Sequence, residues 1–138
     1  MATDRLRALR VMERLREIDT RERATEAASL RARSDTLETE REALLARLSG
    51  ESRIEGLEGA PYLGRFITSI RSELDRNTRE AARLAPELAQ AEDRLREAMA
   101  EQKTYEILRI ATLDRQRKEA ARREARDQDM QTILRWQR

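Results

Sequence analysis

Residues 50–64 read GESRIEGLEGAPYLG, and all four glycines of the chain fall among them. Glycine and proline are the strongest local breakers of regular structure. Outside this window only Pro86 interrupts helix-forming sequence. The window therefore predicts a single turn between two long arms. Arm one is expected over 3–49, the turn over 50–61 and arm two over 62–138. The fold class that follows is all-α: two long helices forming an antiparallel coiled-coil hairpin with an overhanging C-terminal helix.

Composition points the same way. Of 138 residues, 41% are charged and 3% aromatic, and there is no cysteine or histidine. One Trp, one Phe and two Tyr supply little bulk for a compact core. Richness in Ala, Glu, Arg and Leu is the signature of a long helix or coiled coil. So much charge also suits a disordered chain, but leucine recurs here with a helical period. No apolar run approaches the roughly 20 residues that span a membrane, and MATDRLRALR carries no apolar signal-peptide segment. Without cysteine no disulfide forms, so a cytoplasmic location is expected. Arginine outnumbers lysine 27 to 2, which reads as genome composition before function.

Arm one, about 70 Å long at about 1.5 Å per residue, has Thr3 or Asp4 as candidate N-caps. Val11, Leu15 and Ile18 follow 4,3 spacing, as do Leu30, Ser34, Leu37, Arg41, Leu44 and Leu48. The two sets are out of phase, and only small or charged residues lie between them. This predicts a phase change that locally unwinds the supercoil.

Arm two opens near Pro61, a residue suited to a first helical turn. Its core series runs Leu63, Ile67, Ile70, Leu74, Asn77, Ala81, Leu84, Leu88, Ala91, Leu95, Ala98, Gln102 and Tyr105. A single register held so long is a strong coiled-coil pattern. Asn77 and Gln102 either fix that register as buried polar residues or face water at a loose spot. Pro86 falls on the outer face, where a bend rather than a break is expected.

Folding at about residue 56 sets residue i opposite roughly 112 − i, and Leu6 then meets the Glu106 region. About 25 residues at the end of arm two have no intramolecular partner. An isolated helix is marginal in water, so this tail frays or docks. Residues 1–16 hold five arginines against Asp4 and Glu13, net +3. Residues 115–138 hold eight basic groups against four acids, net +4. The hairpin is expected to have a basic end at its termini and an acidic body.

No histidine, cysteine or phosphate-binding glycine loop is present. Carboxylates on a two-helix surface have no pocket to perturb their pKa, so Glu92 with Asp93 reads as a solvated face. No enzyme, cofactor, metal site or small-molecule substrate is expected. In the tail, Arg115, Arg117, Lys118, Arg122, Arg123 and Arg126 offer phosphate contacts. Interleaved Glu119, Glu124, Asp127 and Asp129, with no aromatic nearby, argue against nucleic acid. A solvated helix with pairs such as Glu119–Arg123 is the plainer reading. Trp136 is read as an anchor for a partner in preference to a terminal residue without a role.

The organisation resembles the FliJ family of flagellar export proteins and its YscO-type injectisome relatives. The likeness is carried by EQKTYEILRIATLDRQRKEAARREARDQDM and by LRALRVMERLREIDTRERA. It implies a cytosolic antiparallel coiled coil, peripheral to a membrane-embedded export apparatus, that is similar to the central stalk of rotary ATPases. It further implies insertion of the paired termini into an export ATPase hexamer and stimulation of ATP hydrolysis. The export gate's cytoplasmic domain and export chaperones are implied partners. The ATPase contact would fall on Arg5, Arg7, Arg10, Arg117, Arg122, Arg123 and Trp136. The gate surface would fall on Leu37, Arg41, Leu44, Leu48, Phe66 and Ile70, although arm one lacks the tyrosines of typical members. Seam packing is the first reading of those leucines. Outside the resemblance, a generic coiled-coil adaptor or oligomerisation module remains open, as does a nucleic-acid-binding arm.

Overall fold

A computed structural model describes residues 2–51 and 60–137. Two helices make up the described residues: α1 (Ala2–Glu51) and α2 (Ala60–Trp136). They pack against each other, and there is no strand among the described residues.

Both helices reach into the glycine window: α1 to Glu51 and α2 from Ala60. Gly50 lies in the last turn of α1 and Gly64 lies inside α2. Gly56 and Gly59 lie outside the described residues. Pro61 is the second residue of α2, where its missing N–H has no intrahelical acceptor to lose. Thr3 and Asp4 do not cap α1, because the helix already includes Ala2. Asp4 instead sits in the first turn, where a carboxylate meets the positive end of the helix dipole. Pro86 is exposed and α2 runs through it as one element. Its ring removes the amide partner of the Ala82 carbonyl, on a face open to water.

The chain divides into two contact units. Unit 2, Glu22–Leu95, is held by apolar side chains. Leu37, Leu44, Ile70, Leu84, Ala27 and Ala91 are buried in it. Each leucine or isoleucine contributes about 1.5–3 kcal/mol by leaving water. Asn77 is buried with them, and its Nδ2 donates to the Leu37 carbonyl at 2.8 Å. Of the two readings for this residue, the structure selects the buried one. The bond ties one turn of α2 to one turn of α1, since a shift of either would strand a buried amide. Beside it Arg41 donates to Thr78 at 3.0 Å, and farther along the unit Arg31 pairs with Glu92 and Glu26 with Arg94 at 3.7 Å.

Unit 1 comprises Met1–Arg21 and Arg96–Arg138. Leu6 and Ala98 are buried here, but charge fills the middle of the seam. Arg109 Nε donates to Glu13 Oε2 at 2.5 Å. Arg16 bonds Glu101 at 2.6 Å and lies 5.8 Å over the Tyr105 ring. Gln102, the other polar core position, is half-buried.

This overturns the expected phase change in α1. Val11, Leu15 and Ile18 are 54%, 53% and 45% exposed. The inward positions of α1 are Leu6, Leu9, Glu13, Arg16, Thr20, Arg23, Ala27 and Leu30, a 4,3 series in the phase of Leu37 and Leu44. The reason lies in α2: its facing residues, Glu101, Tyr105 and Arg109, are polar and complement Glu13 and Arg16. An apolar strip would leave those groups buried without partners, and the phase shift would cost a local unwinding.

The expected pairing rule is also displaced. It sets Glu13 opposite Met99 and Leu37 opposite Asp75; the observed partners are Arg109 and Asn77. The last half-buried residue of α2 is Gln116, so α1 covers slightly more of α2 than expected.

Candidate partner-binding surfaces

The tail follows from that register. Every described residue from Arg117 to Gln137 is exposed, yet α2 stays helical to Trp136. Lys118 pairs with Asp114 at 3.1 Å one turn back. The expected Glu119–Arg123 pair does not form; neither residue has an ion-pair partner among the described residues. Met130, Ile133 and Leu134 are 62%, 53% and 60% exposed, and Trp136 is 87% exposed.

Arg5, Arg7 and Arg10 at the other chain end are exposed, as are Arg117, Arg122 and Arg123. None of the six makes an ion pair among the described residues. All belong to unit 1, so the structure gathers both basic segments into one unit. Nearby Arg109 behaves differently. The hydrogen bond from its guanidinium to Glu13, and then the charge of Glu13, raise its pKa above the usual arginine value, against a smaller lowering by burial. The stabilisation belongs to the charged form, so it is complete below the unfolded pKa. It is lost only as pH rises through the raised folded value, far above neutrality.

The six residues of the implied gate surface separate into two groups. Leu37, Leu44 and Ile70 are buried between the helices of unit 2. They serve the seam, and reaching a partner would require parting α1 from α2. Arg41, Leu48 and Phe66 are half-buried. Phe66 has Tyr62 stacked beside it at 6.4 Å and Arg47 over its ring at 5.5 Å. Tyr62 is 62% exposed and Leu45 44% exposed. Spacing does not single out Leu45, or the Phe66 neighbours Arg47 and Tyr62. Leu45 and Tyr62 stand just outside the 4,3 series, and an apolar residue off the seam was the available signal.

An open groove in unit 2 is lined by Glu40, Arg47, Glu73 and Arg76 among others. No group of acidic residues among the described ones is arranged to hold a metal ion. No helix among them is long and apolar enough to cross a membrane. No family profile, curated protein or solved structure matches this chain.

Proposed function

We propose that this chain is a non-catalytic coiled-coil stalk of a flagellar or type III protein-export apparatus, which binds an export ATPase hexamer through the basic unit that holds both chain ends. One observation carries the reading: α2 continues as helix to Trp136 while every described residue from Arg117 onward is exposed. A helix without a partner is marginal in water, and a ring interior that covers it would stabilise it. Arg5, Arg7, Arg10, Arg117, Arg122 and Arg123 supply charge to grip an acidic ring lining, and Trp136 supplies an anchor. A single stalk in a six-fold ring touches its subunits unequally. It therefore biases them toward different states by its differential affinity for those states. The work is done in the cytoplasm, beside the membrane-embedded apparatus, with the export gate and chaperones as further partners. A gate contact would use Phe66, Tyr62, Arg47 and Leu48, because Leu37, Leu44 and Ile70 are occupied in the seam.

The test is removal of residues 115–138. ATP hydrolysis by the cognate hexamer should lose its stimulation by the shortened chain, while far-ultraviolet dichroism keeps the helical signal of the remainder. Full stimulation by the shortened chain would sink the proposal.

A second reading, an adaptor that assembles with copies of itself or other coiled coils, is favoured by the exposed Met130, Ile133 and Leu134. Sedimentation separates the two: a monomer supports the stalk, and a tight dimer supports the adaptor.

A further inference from the structure

Val11, Leu15 and Ile18 form a strip on the side of α1 turned away from α2. At about 100° per residue the three fall within an arc of about 60°. Arg7, Arg14 and Arg21 border one edge at seven-residue spacing, with Arg10 beyond them. Arg7 and Arg10 make no ion pair among the described residues. Arg14 reaches Glu17 only at 3.9 Å, and Arg21 holds the same carboxylate at 2.8 Å; the two arginine side chains stay 72% and 73% exposed and share one acid between them. The strip cannot turn inward cheaply, because the opposite side of the same helix is held by Glu13–Arg109 and Arg16–Glu101. The seam here is polar, and the apolar side chains that could have filled it are presented outward in a row.

We propose that this strip is a docking site for an amphipathic helix of another protein, one whose apolar stripe is bordered by carboxylates. Helix recognition of this kind is read by anchors at helical spacing. Arginine beside desolvated apolar contacts is the composition of strong interface positions. The arginine edge sets the sign of the partner: a carboxylate-bordered helix places its acids against Arg7, Arg14 and Arg21. A second copy of this chain is disfavoured by the same edge. Two strips packed antiparallel bring the arginine rows together, and the tail of another copy brings a net +4 segment to a net +3 one. The inference does not depend on what the tail binds, but Arg7 is shared with the proposed ATPase grip, so the two partners compete for it.

The experiment uses the full chain and two labelled synthetic helices, read by fluorescence anisotropy. Both carry the same leucine stripe at i, i+3, i+4 and i+7; one is bordered by Glu and the other by Lys. The Glu-bordered helix should bind at least about tenfold more tightly, a difference of about 1.4 kcal/mol. The double variant Leu15→Ser, Ile18→Ser should lose at least about tenfold in that binding. Its melting temperature should match that of the unaltered chain, because both side chains are exposed. Reversing the edge with Arg7→Glu, Arg14→Glu and Arg21→Glu should invert the preference between the helices. Equal binding of the two helices by the unaltered chain overturns the proposal, and so does undiminished binding by the serine variant. Two other results also overturn it: binding to phosphatidylglycerol vesicles but to neither helix, and a dimer that the serine variant abolishes.

Discussion

Asn77 is the residue at which specificity and stability pull apart. Its Nδ2 donates to the Leu37 carbonyl at 2.8 Å in an otherwise apolar stretch of unit 2. A buried amide at a core position excludes registers that would leave it unpaired, at some cost in stability. Asn77→Leu should therefore keep or raise the melting temperature while loosening the choice of partner. Sedimentation should show a new associated species for this variant that the parent lacks. A variant that stays as uniform as the parent would show that the leucines alone set the register. From sequence, Asn77 was visible as the break in an apolar series, but not its partner. A backbone carbonyl carries no sequence signal, and Leu37 looks like any other seam leucine.

At the scale of the element, the ends of the helices and the faces of α1 tell different stories. Gly64 sits inside α2, and nothing lies within 4 Å of where a Cβ would be. No close approach requires glycine there. Gly64→Ala should stabilise the protein by about 0.5–1 kcal/mol, since alanine loses less backbone entropy in a helix interior. An increase in the midpoint of urea unfolding at unchanged slope would bear this out, and a decrease would refute it. The existence of both helices was legible from the glycine window and the leucine period; that α2 stays helical through the tail to Trp136 was not. The inward face of α1 over residues 6–21 was not. Extending the phase of Leu30–Leu48 backward in 4,3 steps reaches Ala27, Arg23, Thr20, Arg16, Glu13, Leu9 and Leu6. That series was available, but apolar content favoured Val11, Leu15 and Ile18. The complement to Glu13 and Arg16 lies some ninety residues away on α2, beyond any local pattern.

At the scale of the molecule, two kinds of seam serve two units. Glu22–Leu95 rests on Leu37, Leu44, Ile70 and Leu84, while the unit with both chain ends sets Glu13–Arg109 and Arg16–Glu101 beside its buried Leu6 and Ala98. Partly exposed ion pairs contribute little and are screened by salt, whose Debye length falls to about 3 Å at 1 M. Apolar burial is not weakened in that way. Raising sodium chloride to 1 M should therefore speed amide exchange in residues 6–21 and 98–113 more than in residues 30–48 and 70–91. Uniform acceleration, or none, would count against this division. The sequence by itself determined two helices on either side of the glycine window, an apolar series along α2 and basic segments at both chain ends, because each is a local matter of residue type and period. Only the tertiary structure decided which stripe of α1 faces inward near its start, where Asn77 bonds, and which arginines stay unpaired. Those outcomes depend on what the opposite helix presents, and where that helix presents charge, a complementary polar stripe displaces a more apolar one from the seam.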